Sequence, residues 1–197
     1  MASRLAILAT AQAIRQLLAD GCPHDEFPGA QFNIVQAGDL ANSATPAEGI
    51  SIYLYLVTAN ASRRNLPPHL NPNGKLTRPP LPLDLHFLLT PWSASADTQL
   101  SLLGWAMRVL DDTPIIPAGS LNYDFPGKEV FRANESVELI FNPIPMQDMA
   151  LLWENLHQIK VIPSVTYVAR LVTLDSDAEL YKSGPGQLRV QGVRRRS

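Results

Sequence analysis

The chain has 197 residues, 46% of them hydrophobic and 17% charged, enough apolar material for one domain with a real core and too much for a disordered protein. A formal net charge of −2 and a pI near 6.1 supply no global field that would draw in nucleic acid or an anionic membrane, so partners have to be recognised locally. Cys22 is the single cysteine, which excludes an intrachain disulfide and a thiolate metal cluster and fits synthesis in a reducing cytoplasm.

Residues 3–20 predict a helix, because Ile7, Ala11, Ile14, Leu17 and Leu18 recur at helical spacing, with Ser3 as N-cap and Gly21 as stop. Its apolar run is short for an export signal, and no stretch of the chain approaches the length of a membrane span. A weak strand is predicted near 32–37. In the strand at 50–59, Ile50, Ile52, Leu54 and Leu56 oppose Tyr53, Tyr55 and Val57, so both faces are expected to be covered. In the strand at 81–91, Leu81, Leu83, Leu85, Phe87 and Leu89 share a face opposite Asp84 and His86, which predicts one buried and one polar face. The connecting segment RRNLPPHLNPNGKLTRPP holds five prolines and the basic residues Arg63, Arg64, His69, Lys75 and Arg78. Its prolines stiffen it towards extended conformations, and it reads as a projecting contact arm.

Helix 97–111 carries two apolar stripes, Leu100, Leu103, Met107 and Leu110 on one and Leu102, Ala106 and Val109 on the other. One core buries one stripe easily, so the second stripe, tested at Leu102, Ala106 and Val109, or the Pro114–Pro117 segment is expected at a subunit contact. Asp111 and Asp112 oppose the helix dipole at that end and suggest a basic partner. A strand at 136–142, a helix at 146–158 with Met149, Leu152, Trp153 and Leu156 facing the core, and a strand at 164–174 follow. Partial alternation and long single strands favour an α+β fold, a single mixed and mainly antiparallel sheet with helices packed on it, over a doubly wound parallel sheet. Residues 1–175 form this domain, and 176–197 form a basic C-terminal arm. Within the arm, Leu188 and Val190 alternate with Arg189 and Gln191. The run predicts a brief strand that needs a neighbour's strand edge, with Arg194, Arg195 and Arg196 resting on an acidic rim.

The chain has no G-x-S-x-G elbow, no H-E-x-x-H, no dinucleotide-binding glycine turn and no phosphate loop. His24, His69, His86 and His157 lie far apart in sequence, so neither metal nor cofactor is expected. Asp84 and His86, two residues apart on one strand face, can be read as a proton-sharing pair in a small hydrolase-like cleft, or as an ordinary hydrogen-bonded face. A monomeric peptide-binding module using the sheet edge is a third reading. The basic residues lack the interleaved aromatics or motif of a nucleic-acid site.

Five ordered blocks, SIYLYLVTANASRRN, PPLPLDLHFLLTPW, LLGWAMRVLDDTPII, IPMQDMALLWENL and PSVTYVARLVTLDS, resemble the cap, or tail-terminator, proteins of extracellular contractile injection systems of the virulence-cassette and antifeeding-prophage type. The resemblance runs from about Ser3 to Asp175. It implies a phage tail-terminator-like α+β domain that assembles as a hexameric ring, binds sheath and inner-tube proteins, closes their distal end and stops polymerisation without catalysis. It also implies a bacterial phage-tail-like particle that is released, cytoplasmic or membrane-anchored, without membrane insertion of the cap itself. Arg63, Arg64 and Asn65 match the family's basic loop entrance, Leu83 to Pro91 its central strand and Trp153 its late-helix tryptophan. The resemblance assigns nothing to the residues after Asp175.

Overall fold

A computed structural model describes residues 4–41, 45–63, 67–70, 74–156, 161–176, 178–183 and 187–189. Helix α1 (Ala6–Gly21) is followed by strand β1 (Gln31–Val35), short helix α2 (Ala37–Ala41) and strand β2 (Gly49–Ala59). A 3₁₀ turn (Ala61–Arg63) and two short strands, β3 (His69–Leu70) and β4 (Leu76–Thr77), lead to the longest strand, β5 (Leu81–Trp92). Then come α3 (Ala96–Asp112), β6 (Ile115–Pro117), α4 (Ala118–Leu121), β7 (Ser136–Phe141), α5 (Met146–Asn155), β8 (Val165–Leu174), β9 (Tyr181–Ser183) and β10 (Gln187–Arg189).

The main sheet has the order β1-β2-β5-β8-β7-β6. Only the β1–β2 pair is parallel; β2–β5, β5–β8, β7–β8 and β6–β7 are antiparallel. The fold is the expected α+β arrangement, one mixed and mostly antiparallel sheet with helices against it. On one face lies the larger core, where Ile14 and Leu18 of α1, Leu102, Ala106 and Leu110 of α3 and Leu121 of α4 meet Ile50, Ile52, Leu85, Phe87, Leu89, Val137 and Ala169 of the sheet. The role of α1 residues in this core confirms the helix reading of the N-terminal apolar run. Position Leu5 caps α1 without a side-chain bond, and Ser3 lies outside the described residues. The opposite face carries a smaller core, in which Trp153 of α5, Leu156 at its C-cap and Leu40 of α2 pack on Val35 and Leu88, with Met149, Leu152, Tyr53, Tyr55 and Trp92 around them.

That second core corrects the expectation of a half-polar central strand. Leu88 and Thr90 on the Asp84–His86 side of β5 are buried, Leu88 packing with Trp153 of α5 and the Thr90 hydroxyl sharing a hydrogen bond with that of Ser164 at 3.0 Å. A bulge corrects β2 as well. Tyr55 is the extra residue between the Leu54–Phe87 and Leu56–His86 pairs, and one extra residue re-aims everything after it. Leu56 and Val57 are consequently exposed, although alternation alone placed Leu56 with the buried set.

Helix α3 shows the third difference. It starts at the Ser95 cap, whose hydroxyl accepts from the Thr98 amide at 3.4 Å, and buries Leu102, Ala106 and Leu110. The stripe left outside is therefore Leu100, Leu103 and Met107, with Leu100 58% exposed. Its terminal aspartates have their basic partner within the helix: Arg108 binds Asp111 at 3.3 Å and also pairs with Asp112, holding the Asp112 carboxyl below its usual pKa.

Parallel pairing of β1 with β2 depends on one glycine. Gly49 adopts φ +141, and a Cβ there would sit 1.9 Å from the Gln31 carbonyl oxygen, so no other residue lets the two strands approach in this register.

Candidate assembly surfaces

The basic loop grows out of a buried hinge. Asn60 is 1% exposed; its amide donates to the Pro82 carbonyl at 2.9 Å, its side-chain NH2 donates to both Asp84 oxygens at 2.9 and 3.0 Å, and its Oδ1 accepts from the Arg63 amide at 3.2 Å. This network turns the chain out of β2 and into the 3₁₀ turn. From there Arg63 reaches a concavity of about 400 Å3 that is also lined by Arg132, Glu135, Ser136, Thr173 and Asp175. Arg132 is held there by Glu135 at 3.3 Å and by Asp175 at 2.6 Å, the Asp175 side chain being 4% exposed.

Loop and arm, read as separate from sequence, are joined. Thr77 bridges Glu179, the Leu180 amide donates to the Leu76 carbonyl at 2.7 Å and the Arg78 amide to the Ala178 carbonyl at 3.0 Å. Lys75 pairs with Glu179 at 2.7 Å. Lys75 is thus engaged by its own chain, while Arg63 and Arg78 are exposed. Leu188 lies in β10, which pairs antiparallel with β9 in a small hairpin, Leu188 opposite Lys182. The brief strand forms as expected over Gln187–Arg189, but its paired edge belongs to its own chain. Arg64, Asn65, Val190, Arg194, Arg195 and Arg196 lie outside the described residues.

Asp84 and His86 do not act on each other. Asp84 accepts from Asn60 and from the Leu171 amide at 3.2 Å. The latter bond sits at a second bulge, where β8 places Arg170 and Leu171 against the single residue Asp84. Leu171 adopts φ +63 there, a conformation that costs a non-glycine residue about 1–2 kcal/mol and persists only when its surroundings enforce it. The His86 ring shares a hydrogen bond with the Thr58 hydroxyl at 3.1 Å and meets Tyr55 edge-on. Asp84 thus holds the bulge in β8, and His86 contacts the bulged residue of β2.

Two apolar surfaces escaped the sequence reading. A groove of about 440 Å3 runs between α5 and the bulged β2, lined by Leu56, His86, Ile144, Leu151 and Leu152. On the other side, exposed Phe141 stacks edge-on over Tyr167 at 5.7 Å. Burial, with Asp111 adding to it, pushes the Tyr167 phenol up to about 12, so the group stays neutral at ordinary pH. No described helix is long and apolar enough to cross a membrane.

Among solved structures, the chain resembles an extracellular contractile injection system component, the PVC sheath/tube terminator in its extended state, with a TM-score of 0.61 at 14% identity over 97% of this chain and 64% of that one. It also matches the anti-feeding prophage cap, the AFP tube-terminating cap, with a TM-score of 0.46 at 14% identity over 76% of this chain and 50% of that one. The chain therefore spans less than two thirds of the length of either protein. No curated protein sequence matches it. The family model described as the Pvc16 N-terminal domain matches residues 9–187, the whole main sheet and all of its helices but the first residues of α1, and the chain belongs to that family.

Proposed function

We propose that this chain is a structural terminator in a phage-tail-like contractile injection particle, closing the distal end of its inner tube and sheath without catalysis. Family membership over residues 9–187, together with a fold shared along 97% of the chain with a sheath/tube terminator, carries the reading. The use of Asp84 and His86 in the bulge network supports it against the hydrolase-like alternative. The physical task is geometric. A growing stack exposes unfilled sockets and strand edges on its last ring, and a terminator fills them while presenting no equivalent surface to a further layer.

In this reading the chain assembles as a six-fold ring. The Arg63–Pro80 loop, through Arg63, Arg64, Asn65, Lys75 and Arg78, docks on sheath or tube, and the arm, through Leu188, Val190, Arg194, Arg195 and Arg196, tethers the chain to a strand edge of a neighbouring subunit or a sheath protein. Exposed ion pairs contribute at most about 1 kcal/mol each and are screened by salt, so several must act together. Co-expression with sheath and tube proteins tests this by electron microscopy of particle length. Omitting the chain should give sheaths of uncontrolled length, and a folded Arg63→Glu/Arg64→Glu/Arg78→Glu variant should fail to restore a defined one. Uniform lengths without the chain would sink the reading.

A further inference from the structure

We propose that the outer edge of β1 is the acceptor site for the basic C-terminal hairpin of a second copy of this chain. Strand β1 ends the main sheet. In its parallel ladder the Gln31 amide donates to the Glu48 carbonyl at 3.0 Å, and the register runs Gln31–Gly49 to Val35–Tyr53. Alternate residues of a parallel strand point their backbone groups the other way, so the amides and carbonyls of Phe32 and Ile34 face outward. Among the described residues none pairs with either amide. Exposed edges are normally blunted by charge or proline, yet QFNIV carries neither. Ile34 on it is 38% exposed. The opposite edge is blunted: β6 has three residues, with Pro114 before it and Pro117 within it.

Charge identifies the occupant. Between Arg15 and Arg63 there is no lysine or arginine, while Asp20, Asp25, Glu26, Asp39 and Glu48 all fall in that stretch around β1. After Glu179 there is no acid, and Lys182, Arg189, Arg194, Arg195 and Arg196 follow. The hairpin β9–β10 forms a two-stranded sheet of its own, marginal unless a further strand joins it.

Geometry requires a second copy. The hairpin follows residues 178–180, which are tied to 76–78 just before β5 begins. Strand β1 lies along Gly49–Tyr53, which pairs with the far end of β5, Leu88–Trp92. Seven residues of strand, roughly 24 Å, separate those two ends, and the hairpin turns back on itself before it could cover them. Donor and acceptor at opposite ends make the contact head-to-tail, the kind that closes rings or builds filaments. The proposal rests on the terminator reading only in requiring that copies associate.

Mixing two single-cysteine proteins, Ile34→Cys and Leu188→Cys, each with Cys22→Ala, tests it under mild oxidation, with oligomer size followed by light scattering. The mixture should form an Ile34–Leu188 interchain disulfide, and yield should fall several-fold in 1 M salt. Ile34→Pro in the unlabelled chain removes one outward donor, and Ile34→Lys, retained as a second variant for folding, adds charge at the edge; either should slow self-association roughly tenfold. Disulfides between two Ile34→Cys chains, an intrachain bond in the double-cysteine protein, or a link from position 34 only to added sheath protein would each overturn the proposal. Oligomers without any cross-link would overturn it while leaving the terminator reading standing. Absence of both oligomer and cross-link would count against the two together.

Discussion

Asp84 organises more of the molecule than any other polar residue of the central strand. Its carboxylate receives the Asn60 side chain, which sets the loop's departure, and the Leu171 amide, which sets the bulge in β8. Removing it leaves a buried carboxamide and a strained backbone amide without their acceptor. Asp84→Ala should therefore cost about 2–4 kcal/mol of stability in urea denaturation, and Asp84→Asn, which keeps one acceptor oxygen, clearly less. A loss below about 0.5 kcal/mol for Asp84→Ala would mean that the bulges hold themselves. Nothing in the local sequence announces this role, since an aspartate two residues from a histidine looks the same whether it anchors a backbone or shuttles a proton.

At the scale of elements, α3 decides between two opposite orientations of one amphipathic pattern. Leu102 is wholly buried and Leu100 is 58% exposed. Leu102→Ala should then cost about 2–5 kcal/mol by leaving a cavity, whereas Leu100→Asp should stay within about 0.5–1 kcal/mol of the parent in the monomer; equal losses would contradict this orientation. Periodicity located the helix but could not orient it, because both stripes satisfy the same spacing and the sheet beneath selects one. The long strands β2, β5 and β8 were legible for a related reason: ten or more residues of alternation outlast local noise. The bulges at Tyr55 and Leu171 were not, since neither residue favours a bulge by type. Strands β3, β4, β6 and β9 have only two or three residues each, too few to show any period, whereas the equally short β10 was marked by the alternation of Leu188 and Val190 between glycines. At the candidate surfaces, the positions of the basic residues were legible, but the Lys75–Glu179 pair joining loop to arm was not, being a contact across 104 positions of sequence.

For the whole molecule, the sheet is a partition. Trp105 touches Phe27 and Phe32 on the side of α1 and α3, while Trp153 and Trp92 belong to the smaller core beneath α5 and α2. Trp153 is 1% exposed and its indole N–H has no hydrogen-bond partner among the described residues, an environment unlike that of Trp92, whose N–H donates to the Ser51 hydroxyl at 2.8 Å. Each side of the sheet consequently carries its own optical reporter. In variants retaining a single tryptophan, emission from Trp105 and Trp153 should report the two sides separately during thermal denaturation, and the smaller core should loosen first because it buries far fewer side chains. Coincident transitions at both probes would instead show that the central strands couple the two sides into one cooperative unit. The same two fluorophores then act as compass points: whichever changes colour when a neighbour docks reveals which side of the sheet it touched.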